Sequence, residues 1–355
     1  MKQSEKNYKR IVVKIGSSLF FSGAGDLDKS LFRKIGEQVV ALRKAGKEVI
    51  LVSSGAIALG MRTIGLKNRP KELSYLQAAA AIGQNALMDN YSSFFKGYGI
   101  NCAQILLTWD DFDNRQRYLN AKNTLLTLLK LGSIPIINEN DTVSTDEIKF
   151  GDNDQLSARV ASLICADLLI MLSDVDGLLD KDKKLVSVVS EITPAIKSLA
   201  SPSQKNTSVG GMITKIEAAS ITTSSGATCV ITNGNFKNAI LATINNSQAP
   251  RTVFLPAGAD LDEKKRWIAF GTKPKGKIII DAGARGALVN KKSLLSVGVV
   301  AVEGSFESGD IVSVCLGRLE IARGKVGVGS KQLDKIKGSR YSKEVIHCDN
   351  IVILQ

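Results

Sequence analysis

Lys14 lies inside an apolar run, "IVVKIGSS", whose last member, Ile15, is followed at once by a glycine and two serines. Glycine lets backbone approach a ligand closely, and successive N–H groups that no strand uses form a nest for an anion. Lys215 has a related setting, one turn into a helix that opens after the glycine pair of "VGGMITK". Each stretch alone also fits a solvated lysine beside a turn. Neither is a Walker A loop, because G-K-[ST] occurs nowhere in the chain. Between the two lysines, "INENDTV" and "GDNDQLSARVA" concentrate Asn138, Asp141, Asp152, Asn153 and Asp154, more short polar side chains than one helix cap requires. "VSSGAIALG" places Ser54 and Gly55 where a buried strand gives way to a helix, an arrangement that suits an anion and equally a capping serine. "LSDVDG" places Ser173 and Asp174 at the end of another apolar strand.

The single histidine, His347, is far along the chain from all these clusters, so their chemistry runs without a histidine base. Phosphoryl transfer to a carboxylate needs none, since an acid with a reference pKa of about 4.3 is already ionised at neutral pH. The obstacle is an anion attacking a polyanion. Lysines, Mg²⁺ and oriented amides are what offset that repulsion.

The elements that would hold these residues follow a regular alternation. "RIVVKI", "EVILVSSG", "AQILLTW", "IPIINEN", "LLIMLSD" and "TCVITNG" read as strands, separated by helical stretches. In "DKSLFRKIGEQVVALRKAG", Asp28 caps a helix whose Leu31, Ile35, Val39 and Leu42 share one face. Continuous apolar strands between amphipathic helices define an α/β protein with a mainly parallel open sheet and helices on both faces. Ligands in such sheets bind beyond the carboxyl ends of the strands, where every polar cluster here lies. From about Pro256 the pattern changes to a charged, Pro/Gly-marked connector that packs through Trp267 and Phe270. Short strand-like runs follow, ending in "EVIHCDNIVIL", and read as a small β-rich domain. The expected organisation is residues 1–258, a connector over 259–275, and a second domain over 276–355.

The chain has 355 residues and a formal net charge of +13. Its last part, 277–355, carries +4 of that charge, so the basicity is spread along the chain, not gathered in an arm. Such diffuse charge fits small acidic substrates, RNA or a solvated surface alike. Five scattered cysteines without a C-x-x-C pair argue against a disulfide framework or a zinc site and read mostly as buried thiols. No apolar run reaches membrane-span length, and a cytoplasmic protein is the expectation.

The ordered set "VVKIGSS", "VSSGAIALG", "INENDTV", "KFGDNDQLSA", "LLIMLSDVDGL" and "GGMITK" resembles the amino acid kinase family. "SLLSVGVVAVEGSFESGDIVSV" resembles the PUA domain that follows the kinase domain in many bacterial members. Within the family, the resemblance is to enzymes that transfer the γ-phosphoryl group of Mg-ATP to the side-chain carboxylate of L-glutamate, the first step of proline synthesis. It implies that Lys14 neutralises the transferring phosphoryl, Gly16 and Ser17 supply amides, Lys215 draws charge toward the leaving group, and Asp154 holds both lysines. It further implies a glutamate pocket of Ser54, Gly55, Asn138, Asp141, Asp152, Asn153 and Met212. ATP would be held by Ser173, Asp174 and the segment Val209, Gly210, Gly211, Met212, Ile213, Thr214 and Lys215. Mg²⁺ is expected on the nucleotide, with no metal-binding residue assigned. Proline as feedback inhibitor, a glutamyl phosphate reductase as partner, and a homodimer or homotetramer complete what the resemblance implies. Two departures bear on the nucleotide: Val209 replaces a usual threonine, and Leu179 and Asp180 replace a usual Tyr-Thr. Rival readings are an acetylglutamate or aspartate kinase, and RNA binding through Lys331, Lys335, Lys337, Arg340 and Lys343.

Overall fold

The computed structural model describes residues 7–20, 28–143, 153–200, 211–245, 249–257 and 261–354. Its first sheet is made of β1 (Arg10–Ile15), β2 (Glu48–Ser53), β3 (Cys102–Leu107), β4 (Ile134–Glu139), β5 (Leu168–Ser173), β6 (Val188–Val189), β7 (Thr228–Asn233) and β8 (Arg251–Phe254). The order is β3-β4-β2-β1-β5-β7-β8-β6, and every pairing is parallel except β7 with β8. All six residues of β4 and of β5 are buried, as expected of strands covered on both faces. The six apolar runs of the sequence are thus the six long strands. β6 and β8 were not legible, being short and carrying no continuous apolar run.

Helix α1 (Ser17–Phe20) follows β1 directly, and α2 (Lys29–Lys44) is capped by the Asp28 side chain, which accepts from the Leu31 N–H. Leu31, Ile35, Val39 and Leu42 are buried in the main core together with β1 and β2. Helix α3 (Ala56–Thr63) crosses α4 (Leu73–Lys96) in backbone contact: a Cβ on Gly60 would overlap the Ala79 carbonyl, and one on Gly83 the Ala56 carbonyl. These two glycines set how closely α3 lies on α4, and so where its first residue sits. Helices α5 (Trp109–Asp113), α6 (Arg115–Lys130), α7 (Asn153–Leu163), α8 (Pro194–Ser198), α9 (Met212–Ser224) and α10 (Ala239–Ile244) complete this part.

The chain divides into two compact units, Met1–Asp111 with Leu119–Ala259, and Phe112–Tyr118 with Asp260–Gln355. The short segment belongs with the second unit for visible reasons. The Trp267 indole donates to the Phe112 carbonyl, Arg115 pairs with Glu263 at 2.9 Å, and Asp113 accepts from the Lys273 N–H. Trp267 and Phe270 are buried, as their place in the connector predicts.

The second unit contains a five-stranded sheet, with β9 (Gly276–Ile280), β10 (Val299–Gly304), β11 (Ile311–Leu316), β12 (Leu319–Lys325) and β13 (Ile351–Ile353) in the order β10-β9-β11-β12-β13. "EVIHCDNIVIL" is not one strand. The His347 ring accepts from the Asp349 N–H and turns the chain through Cys348–Asn350 before β13 begins. Two helices, Ala282–Val289 and Ser330–Ile336, interrupt what reads in sequence as strands and turns. Lys331, Lys335, Lys337, Arg340 and Lys343 are all exposed. Of the cysteines, Cys229 and Cys315 are buried, Cys102 and Cys348 are half-buried, and Cys165 is exposed, so the reading of buried thiols holds for two of five. Among the described residues, no helix is long and apolar enough to cross a membrane.

Candidate active site

The polar clusters meet at the carboxyl ends of β1, β2, β4 and β5. Lys14 is the fifth residue of β1 and only 7% exposed, which is not the setting of a solvated lysine. Its ammonium pairs with Asp154 Oδ1 at 2.6 Å, while Lys215 pairs with Asp154 Oδ2 at 2.9 Å. Two lysines 201 positions apart in the sequence therefore share one carboxylate. Asp154 lies in the first turn of α7 and Lys215 in the first turn of α9, two helices that pack on each other.

Burial by itself would raise the Asp154 pKa, but the charges of Lys14 and Lys215 outweigh it and hold the carboxyl well below the usual carboxylate range. The group is ionised at neutral pH. Two ammonium groups against one carboxylate leave a formal excess of one positive charge in a nearly water-free place. Thr214 braces the same carboxylate: its hydroxyl is 3.1 Å from Asp154 Oδ2 and 2.9 Å from the Gly211 carbonyl, with one proton to give between them.

The amide side of the site is a connected set. Asn153 Nδ2 donates to Ser54 Oγ at 2.8 Å, to Asn138 Oδ1 at 3.1 Å and to the Ser53 carbonyl at 3.4 Å. Asn138 accepts from the Glu139 N–H at 2.9 Å and donates to Gln84 Oε1 at 2.9 Å. Ser54 thus faces Asn153 and does not cap α3. The cap position belongs to Gly55, whose φ of 110° swings the chain from β2 into α3 and makes no side-chain bond. Asp141 is half-buried in the turn after β4.

Of the two amides expected to face an anion, Gly16 N–H is committed to the Leu172 carbonyl at 3.3 Å, continuing the β1–β5 ladder. Ser17 is exposed in the first turn of α1. Ser173 is buried with its hydroxyl 3.2 Å from Asp174 Oδ1, and Asp174 itself is exposed. Gly211 and Met212 open α9 half-buried, and Ile213 is exposed. Asp152, Val209 and Gly210 lie outside the described residues. Gln84, which sequence reading did not single out, joins this amide set through Asn138. Its signal was a lone amide on the stripe Leu76, Ala80, Leu87, Tyr91 that α4 buries.

A mainly parallel sheet with a buried lysine–carboxylate–lysine triad at its strand ends defines a phosphoryl-handling α/β protein. Residues 9–233 match the model of the amino acid kinase family, and residues 276–348 match that of the PUA domain. The chain belongs to the amino acid kinase family. It is similar to the glutamate 5-kinase of Thermoanaerobacter sp. (strain X514), at 45% identity over 98% of each chain. It is also similar to that of Caldanaerobacter subterraneus subsp. tengcongensis, at 46% identity over 98% of each chain. Among solved structures, carbamate kinase from Giardia lamblia bound to AMP-PNP is similar at 16% identity and a TM-score of 0.49, over 70% of this chain and 99% of that one.

Proposed function

We propose that the chain phosphorylates the side-chain carboxylate of L-glutamate with ATP, giving L-glutamyl 5-phosphate and ADP. The observation that carries this reading is the excess positive charge of the Lys14–Asp154–Lys215 triad. A buried net charge is costly unless a counter-charge arrives, and a transferring PO₃ unit supplies it. The relatives named glutamate 5-kinase supply the acceptor.

In the reaction, a carboxylate oxygen of glutamate forms a bond to the γ-phosphorus as the bond from that phosphorus to the β–γ bridging oxygen breaks. The electron pair leaves with ADP, and no proton is taken up. Lys14, at the end of β1, stabilises charge on the phosphoryl in flight. Lys215 stabilises the charge that develops on the leaving oxygen. Asp154 touches neither substrate and acts by fixing both ammonium groups, which prevents them from drifting apart before ATP binds. Ser17 offers its first-turn N–H, and the start of α9 with Ser173 and Asp174 holds the nucleotide. Ser54, Asn138, Asp141 and Asn153 form the glutamate side, with the Asp141 carboxylate toward the α-ammonium. Mg²⁺, carried on the nucleotide phosphates, supplies further charge neutralisation. Asp154 does not suit it as a ligand, because both its oxygens are committed to lysines. On the same reading proline competes for the glutamate pocket and the enzyme is a cytoplasmic homo-oligomer.

The test is ADP release measured with candidate acceptors, the acyl phosphate being trapped with hydroxylamine. L-glutamate should support turnover, while L-aspartate and N-acetyl-L-glutamate should support little. A preference for either of the latter overturns the assignment.

A further inference from the structure

Asn153 Oδ1 is fully buried and makes no hydrogen bond among the described residues, although the residue's other amide atom makes three. A buried carbonyl left without a donor is a cost that native proteins rarely carry. Its orientation is not free. Asn153 Nδ2 faces the Ser53 carbonyl, which can only accept, so turning the amide over would set oxygen against oxygen there.

The same logic extends outward from a second fixed point. The Glu139 backbone N–H can only donate, so the atom of Asn138 that receives it must be Oδ1. Asn138 Nδ2 then points to Gln84, which must present Oε1, leaving Gln84 Nε2 for Gln104 Oε1 at 3.2 Å. Each amide thus dictates the next. Gln84 is 9% exposed and Asn138 2% exposed, so water does not substitute readily for either partner.

We propose that Gln84, braced by Gln104, is a positioning and specificity-determining residue: by holding Asn138 it locks Asn153 with its carbonyl oxygen offered to the substrate's ammonium group. The inference rests on the glutamate reading above and deepens it. L-glutamate at neutral pH carries one hydrogen-bond donor, the α-ammonium, and is otherwise all acceptor oxygens. An orphaned acceptor on the glutamate side of the site therefore has one group it can bind. Without Gln84, Asn138 Nδ2 is buried with no acceptor, which loosens Asn138 against the Glu139 N–H and weakens one of the three acceptors that hold the Asn153 NH₂.

The test uses the full chain with Gln84→Met, which keeps volume and helix propensity but removes the amide, and Gln84→Glu, which still accepts from Asn138 while Gln104 turns to donate. Gln84→Met should raise KM for L-glutamate about tenfold, the size expected when a buried donor is stranded. KM for ATP and kcat should stay within about twofold, because the lysine triad is untouched. Gln84→Glu should restore KM to within about threefold of wild type. The decisive comparison is glutarate, the same dicarboxylate without the ammonium, measured as a competitive inhibitor. Its inhibition constant should be the same in wild type and Gln84→Met. Equal losses for glutamate and glutarate, equal damage from Met and Glu, or an unchanged KM in Gln84→Met each overturns the inference and leaves the glutamate reading standing. A wild-type protein that turns over no L-glutamate overturns both. If Gln84→Met does not fold, Gln104→Ala carries the test, since Gln104 is exposed. It should raise KM for glutamate about two- to threefold with glutarate unaffected, and an unchanged KM there also counts against the inference.

Discussion

The two sides of the candidate site are made of opposite materials. On the phosphoryl side, Lys14, Asp154 and Lys215 form a buried charged triad whose effect depends on sign and distance. On the acceptor side, Gln84, Asn138, Asn153 and Ser54 form a neutral set beside the acid Asp141, and their effect depends on which end of each amide points where. Charge stabilises what develops during the reaction, whereas a fixed amide reads what is already present in the substrate. Damage to the first side should therefore appear in kcat, and damage to the second in KM for the acceptor.

The sharpest way to break that contrast is to remove a lysine. Lys14→Ala and Lys215→Ala should each lower kcat by about a hundredfold or more, some 2.7 kcal/mol of transition-state stabilisation, in a protein whose circular dichroism is unchanged. KM for glutamate should move little. Steady-state kinetics that put the loss in KM would make these lysines binding groups and erase the distinction.

Asp154→Asn acts on the same side through stability. It leaves two buried ammonium groups without their carboxylate, a loss of about 3 kcal/mol or more in urea unfolding. Because folding holds the Asp154 pKa below its unfolded value, the contribution is present above the unfolded pKa of about 3.9 and is lost only as pH falls further toward the folded value. The stability gap between wild type and Asp154→Asn should thus be constant from pH 7 to pH 5. A gap that already shrinks in that range would mean the carboxyl is not held ionised by the lysines.

Gly83→Ala tests the acceptor side from a distance. The new methyl would overlap the Ala56 carbonyl and push α3 off α4, costing about 1–3 kcal/mol of stability. Ala56 is the first residue of α3, next to Gly55 and Ser54, so the displacement reaches Ser54 and not the triad. KM for glutamate should rise with kcat preserved; a fall in kcat alone would show that the two sides are mechanically coupled.

The contrast also explains what could be read from the chain. Long buried strands announce themselves by continuous apolar runs, and a lysine inside such a run is conspicuous, so β1, β5 and Lys14 were visible at once. So was Asp154, once five short polar residues crowded one stretch. The pairing of Asp154 with Lys14 and Lys215 was expected only through family resemblance, because nothing in spacing alone brings residues 14, 154 and 215 together. Gln84 escaped altogether: a neutral amide on a helix reads as surface until the fold shows that α4 buries it beside β4. What spacing also hides is that the Gly16 N–H lies against the Leu172 carbonyl, because β5 runs on beside the end of β1. In the second unit the short apolar runs "KIIID", "GVVAVEG" and "DIVSVCLG" did mark β9, β10 and β11, but a histidine that caps a turn from its ring is not a pattern that strand periodicity can reveal.

The smallest effect separates the two sides most finely, because it concerns neighbouring hydroxyls. Ser53 Oγ lies 2.9 Å from the Tyr91 hydroxyl in the core, while Ser54 Oγ accepts from Asn153 Nδ2. Burial pushes the Tyr91 pKa up despite the Ser53 hydrogen bond, so its hydroxyl stays protonated and needs a partner. Ser53→Ala removes that partner and should cost about 1 kcal/mol of stability with KM for glutamate unchanged. Ser54→Ala leaves the core intact and loosens only Asn153, whose NH₂ keeps two other acceptors. It should raise KM for glutamate about two- to fivefold, with the melting temperature and kcat unchanged. If instead both substitutions shift KM alike, the orientation of Asn153 depends on the end of β2 as a whole, and the amide side acts as a rigid strand terminus in place of a directed set of hydrogen bonds.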